Sequence, residues 1–231
     1  PGTMEGWGLG PEDLHQENPG LVILRYSGFG QSGPYKDRPG FGTIAECMSG
    51  YIGMTGFPES PPVLPPIPLA DEIAGAFGAM AGMMALYHRD ASPGEQSNPV
   101  TGRKGQVIDL SLFEPLFRLC IPHITMYDLL GTVRERVGND FPDAAPRSLY
   151  HTKDKKWLGL SGTSQNTWEG LARSMGPQEL PTEPRFKDNA SRLENKDDLN
   201  RILQEWLEQR NRTQLMQELA EWSGRFTTSQ I

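Results

Sequence analysis

Residues 68–88 read PLADEIAGAFGAMAGMMALYH, and how this stretch folds decides the rest. Ile73, Ala74, Phe77, Ala81, Met84 and Ala85 recur at helical spacing, while Ala76, Gly78, Ala79, Gly82 and Met83 keep the other sides small or apolar. The pattern predicts a helix over 72–88. A helix that is apolar nearly all round is a buried one, which places Met80, Met83 and Met84 in the core. Its small residues allow a neighbouring backbone to approach closely. Upstream, Leu21-Val22-Ile23-Leu24 is a short apolar run between turn residues and reads as a buried strand. Downstream, Gln106-Val107-Ile108-Asp109-Leu110 alternates and reads as another. Strand, helix and strand in that order predict an α/β fold.

The flanking segments extend this frame. Residues 11–15 read as a short helix opened by Pro11. Residues 43–54 carry Ile44, Cys47, Met48 and Tyr51 at helical spacing, and the proline-rich stretch 56–68 can be neither helix nor central strand. Ser111-Leu112-Phe113-Glu114 has the form of a capping box and predicts a long helix to about Leu130. Residues 133–148 are charged and proline-containing, as a linker is. Beyond them, Lys153–Lys156 reads as a solvated turn before a strand at 157–160. Amphipathic helices follow at 165–175, 196–209 and 213–222, with Asn195 as N-cap of the second and Trp168, Trp206 and Trp222 on buried faces. The chain thus divides into an α/β part over 1–132, a linker over 133–148 and a smaller α+β part over 149–231.

Composition removes several classes of function. Across 231 residues, 22 Lys and Arg against 29 Asp and Glu give a net charge of −7. Nucleic-acid binding needs a basic surface, so it is not expected. No uninterrupted apolar run approaches the length of a membrane span, and no membrane role is expected. Cys47 and Cys120 cannot form a disulfide framework, which suits a reducing, cytoplasmic location. His15, His88, His123 and His151 lack metal-site spacing, so no metal is expected. The opening Pro1-Gly2-Thr3-Met4 has no targeting pattern, and without an initiator Met the chain is expected to be part of a longer one.

Two short motifs have competing readings. Gly28-Phe29-Gly30-Gln31-Ser32-Gly33 spells G-x-G-x-x-G after a strand, but Pro34 follows where a dinucleotide site needs a helix. A turn whose glycines admit another backbone or a ligand fits better. Asp71 stands at the start of the central helix. Its position alone favours an N-cap. The second reading is chemical. Backbone N–H groups and the positive end of the helix dipole favour an ionised carboxylate there. Such a group can attack an activated acyl carbon, and Ala74-Gly75-Ala76 would leave room for the acyl group.

The chain carries an ordered series of short runs: Pro1–Glu5, Trp7–Gly10, Asn18–Val22, Ser27–Tyr35, Arg38–Phe41, Ser49-Gly50, Thr55-Gly56, Ala70-Asp71-x-x-Ala74-Gly75, Gly105–Asp109 and Pro146–Asp154. This series resembles the family III coenzyme A transferases, the CaiB/BaiF family. The resemblance implies a partial Rossmann-like large domain and a smaller α+β domain, in a longer chain that forms an interlaced homodimer. It implies CoA transfer from an acyl-CoA to a free carboxylic acid, with the CoA thioester as substrate and no tightly bound cofactor. It places the nucleophile on Asp71 and CoA contacts on Trp7, Pro39, Gly40, Phe41 and Gly42. The implied route runs through a mixed anhydride and an aspartyl-CoA thioester.

The match has departures. Basic residues found in family members at the positions of Gly6 and Gly40 are absent, and the multi-glycine loop of the formyl-CoA branch is not found. Residues 90–104 look like a surface insertion. The family's α-methylacyl-CoA racemases carry Gly-His-Asp where this chain has Gly40-Phe41-Gly42, so no proton carrier stands there. A racemase and a catalytically inactive CoA-binding module are the alternatives.

Overall fold

The computed structural model describes residues 1–91, 103–177, 179–222 and 227–230, with 220–222 and 227–230 described as backbone only. The expected insertion at 90–104 falls mostly outside these residues. The chain forms two compact units, Pro1–Arg136 and Val137–Ile231. Both mix helix and strand, as an α/β chain should.

The first unit runs α1 (Thr3–Gly6), α2 (Pro11–Glu17), β1 (Ile23–Ser27), α3 (Gly42–Met48), α4 (Tyr51–Met54), α5 (Leu69–Ala91), β2 (Val107–Ser111), α6 (Phe113–Leu119) and α7 (Ile121–Leu130). β1 and β2 pair in parallel, Ile23 opposite Val107 through Ser27 opposite Ser111. A parallel pair needs a crossover, and α3 to α5 supply it. α5 meets the sheet through residues spaced by about four. Gly78 lies against the Tyr26 ring and Leu110, and Gly82 against Leu24, so a side chain at Gly78 would collide with Tyr26.

Several expectations change here. The first strand starts two residues later, at Ile23, and runs to Ser27. The central helix is longer, from Leu69 to Ala91, and is not buried all round. Its buried residues are Ala70, Ala74, Gly78 and Ala85, whereas Met83 is 66% and Tyr87 76% exposed. A two-stranded sheet covers only one side of a helix, so Met80, Met83 and Met84 stay outside the core. By length and composition α5 suffices to cross a membrane, with a mean hydropathy of 1.3 over its most apolar window. The sequence expectation missed this because Asp71, Glu72, His88 and Arg89 bracket a shorter uninterrupted run. Ser111 does cap the next helix: its Oγ accepts the Glu114 N–H at 3.0 Å and donates to Glu114 Oε2 at 2.8 Å. That helix stops at Leu119 and α7 begins at Ile121, because Pro122 cannot donate into a continuous ladder.

The second unit runs β3 (Arg147–His151), β4 (Trp157–Ser161), α8 (Gln165–Met175), a 3-10 turn (Leu180–Thr182), α9 (Asn189–Glu194), α10 (Lys196–Leu207), α11 (Arg212–Trp222) and β5 (Thr227–Gln230). β4 is the middle strand of an antiparallel sheet in the order β3-β4-β5. Its core gathers Tyr150, Leu158, Trp168, Leu171, Phe186, Leu199, Leu203, Trp206 and Leu215. Trp168 and Trp206 are buried as expected; the side chain of Trp222 lies outside the described residues. β3 and β5 were not legible as strands. Asn195 is the N-cap residue of α10 as expected, but its side chain makes no capping bond there; its Nδ2 donates to Ser191 O at 2.9 Å, at the end of α9.

Arg192 is fully buried at the centre of this unit. Its Nε donates to Ala145 O at 2.7 Å, Nη1 to Gln165 Oε1 at 3.0 Å and Phe186 O at 3.2 Å, and Nη2 to Thr163 O at 3.4 Å. Removing the donor strands four acceptors, each costing about 1–3 kcal/mol when buried and unpaired. Arg192→Met is expected to destabilise the unit by at least about 3 kcal/mol, read from urea unfolding of the whole chain. Arg192→Lys should lose less, since an ammonium still reaches some of these oxygens.

Asp154 organises the turn of Lys153–Lys156. It accepts from Thr152 Oγ1 at 2.7 Å and from Arg212 N, the first residue of α11, at 2.9 Å, and it pairs with Lys156 at 3.0 Å. These donors, Thr152 foremost, hold its carboxyl well below the usual carboxylate range. A carboxyl lowered in the folded state contributes stability above its unfolded value and loses it as pH falls toward its folded value. Asp154→Asn should therefore lower the melting temperature at pH 7. The gap to the unsubstituted chain should shrink below about pH 4, where unfolded Asp begins to protonate. A melting series from pH 7 to pH 2.5 checks this.

Candidate active site

The first turn of α5 exposes backbone N–H groups that have no partner within the helix. One of them is met by another element. Glu46, on α3 and 3% exposed, accepts the Ala70 N–H on Oε1 at 3.2 Å. Asp71 is the third residue of α5, so it lies inside the helix and is not its N-cap. Among the described residues its carboxylate accepts no hydrogen bond, and the residue is exposed. It stands in the positive field of a 23-residue helix. Its Oδ2 lies over the α-carbon of Gly42, so close that a Cβ at Gly42 would overlap it.

Gly42 is the first residue of α3, with Phe41 as its extended N-cap residue. Before it, Gly40 packs on Gly28 so tightly that a Cβ on either would stand 2.5 Å from the other's α-carbon. This closes the neck of the loop between β1 and α3. The G-x-G-x-x-G run therefore serves as a backbone-to-backbone contact, the reading favoured from sequence. Further along, both oxygens of Asp109 accept the Gln31 N–H at 2.9 Å and tie the loop to β2. Tyr35 packs on the edge of Phe29 and under the Arg38 guanidinium, 3.9 Å from its ring centre.

The structure thus brings Gly42 against Asp71, while Gly40 packs on Gly28, and Pro39 and Phe41 are placed only by their neighbours in the chain. Phe41 is 75% exposed. Trp7 follows α1, which is held to β1 by the Glu5–Arg25 pair at 2.7 Å. It is 69% exposed. Sequence reasoning passed over Glu46 and Asp109. Glu46 had one signal, an isolated carboxylate one helical turn after Gly42 in an otherwise apolar segment.

Asp71 is exposed, and it lies apart from the residues that line a cavity elsewhere in this unit. A cavity of about 470 Å³ lies between α4 and α7, lined by Met54, Cys120, His123, Tyr127 and Arg134 among others. Arg134 Nε donates to His123 Nδ1 there at 3.3 Å, and burial pushes the Cys120 thiol pKa up. No group of three or more His, Cys, Asp or Glu that could hold a metal ion occurs among the described residues.

A solved CAIB/BAIF family protein from Brucella suis superposes on the whole chain with a TM-score of 0.77 at 29% identity, and the match covers 57% of that structure. Rv3272 from M. tuberculosis gives 0.80 at 26% identity, again covering 57% of it. The model of CoA-transferase family III matches residues 1–227, and the chain belongs to that family. A succinyl-CoA–D-citramalate CoA-transferase of Chloroflexus aurantiacus is 40% identical over 206 residues, which cover 89% of this chain and 49% of that protein. The human succinyl-CoA:glutarate CoA-transferase is 30% identical over 90% of this chain and 45% of its own. The chain spans about half the length of the curated relatives it matches.

Proposed function

We propose that the protein containing this chain transfers CoA from an acyl-CoA to a free carboxylic acid, with Asp71 as covalent nucleophile. One observation carries the reading: the Asp71 carboxylate is unpartnered, accessible and set at the positive end of α5, while Glu46 takes the capping bond beside it. A carboxylate so placed keeps its lone pairs for attack on a thioester carbon. Attack gives a mixed anhydride and expels CoA thiolate. The thiolate attacks the Asp71 carbonyl, forming an aspartyl-CoA thioester and releasing the donor acid. The acceptor carboxylate then attacks that thioester, and the returning thiolate completes acyl-CoA and frees Asp71. Phe41, Gly42, Gly40 and Pro39 form the ground beside the carboxylate on which CoA rests. Trp7 joins them as a further CoA contact.

The racemase alternative needs a proton carrier beside the reacting carbon, and the neighbours Phe41 and Gly42 offer none. Four relatives at 37–40% identity are named for succinyl-CoA and for citramalate or malate. Succinyl-CoA with a hydroxylated dicarboxylic acid is therefore the first pair to assay. The domain reading that goes with this function is a Rossmann-like CoA-binding part over 1–132, a linker over 133–148 and a smaller α+β part over 149–231. The protein works as an interlaced homodimer in the cytoplasm. Incubation of the longest natural polypeptide carrying this chain with succinyl-CoA, followed by intact-mass and peptide mapping, tests the proposal. A CoA-sized adduct on the peptide containing Asp71 is expected. Tight CoA binding without an adduct would instead support the inactive binding module.

A further inference from the structure

We infer that Glu46 is a positioning residue that keeps Asp71 available for covalent chemistry; this rests on the proposed role of Asp71. Side-chain oxygens near a helix start are drawn to its unsatisfied N–H groups. An Asp in the first turn can spend its lone pairs that way and become a poorer nucleophile. Here the Ala70 N–H, next to Asp71, is taken by Glu46 Oε1 at 3.2 Å.

The bond is built for permanence. Glu46 is 3% exposed and flanked by Ala45 and Ala70, both buried, with Leu116 completing the apolar wall. Water cannot readily replace a hydrogen bond in such a setting, and a buried carboxylate without its donor is costly. The end of α3 is fixed in turn, where Ser49 Oγ donates to Glu46 O at 2.9 Å. Glu46 and Gly42 are four residues apart, so they share one face of α3. That face meets two consecutive residues of α5. Glu46 holds the backbone of Ala70, and Gly42 clears the space that the Asp71 carboxylate occupies. α3 therefore fixes both the turn that carries the nucleophile and the direction in which it stands.

Two substitutions separate this role from simple packing. Glu46→Gln keeps an oxygen acceptor on a stem of the same length. Glu46→Met fills similar volume without a comparable acceptor, so the helix contact survives while the hydrogen bond is lost. In the full-length protein, Glu46→Met is expected to lower kcat about 100-fold with KM for acyl-CoA within about twofold. It should slow formation of the Asp71 adduct by the same factor and speed hydrogen exchange at the Ala70 amide. Glu46→Gln should restore kcat to within about threefold and restore amide protection. Unchanged kcat in a folded Glu46→Met protein, or equal losses in both variants, overturns the inference. Failure of the Asp71 reading itself shows separately, as absence of any adduct in the unsubstituted protein.

Discussion

Asp71→Asn is expected to abolish the CoA adduct and to reduce turnover by at least about 1,000-fold, with CoA affinity close to that of the unsubstituted protein. The carboxamide has the shape of the carboxylate, and the residue is exposed with no hydrogen bond to lose, so the fold should be indifferent to it. An amide is a far weaker nucleophile, and it cannot form the anhydride on which the route depends. The measurement pairs steady-state turnover with intact mass after mixing with succinyl-CoA, and calorimetric CoA binding controls for folding. A variant that retains turnover within tenfold would remove Asp71 from the chemistry.

Gly42→Ala is the second large effect. The added methyl falls where Asp71 Oδ2 now lies. α3 is held by the buried Ala45 and Glu46, and the Ala70 turn is held by Glu46, so neither backbone yields easily. The carboxylate must rotate about its own side-chain bonds, the softest degree of freedom present. A displacement near 1 Å at a reacting atom can cost about 100-fold in rate, and that is the expected loss in kcat. The melting temperature should move little, because Ala is a better helix residue than Gly. Kinetics and melting measured on one preparation test both halves. A full-rate Gly42→Ala protein would show that the present direction of Asp71 is immaterial.

Local signals in the sequence carried the elements that depend on local chemistry. Ser111 and Glu114 announced a helix start, alternation marked β2, and Trp157–Leu160 marked β4, because each is decided within a few residues. The surroundings of α5 were not legible. Its apolar composition is the same whether one side or every side is covered, and only the two-stranded sheet shows that Met83 and Tyr87 stand outside. β3 escaped because its pairing with β4 is set by a partner ten residues on, and β5 because its partner lies nearly seventy residues away. Asp71 was found at the right helix, with its capping role assigned to the wrong residue. That error has a physical source: the true acceptor, Glu46, reaches the turn across 24 residues of chain, and no spacing rule reports such a bond.

The closed neck at Gly28 and Gly40 has an evolutionary consequence. With both ends of the intervening segment pinned at one point and Gln31 tied to β2, residues 32–39 can be lengthened, shortened or rewritten without pulling on β1 or α3. Gly42, which meets Asp71, lies outside that segment and stays put while it changes. The part of the loop that can vary and the part that meets α5 can therefore drift independently.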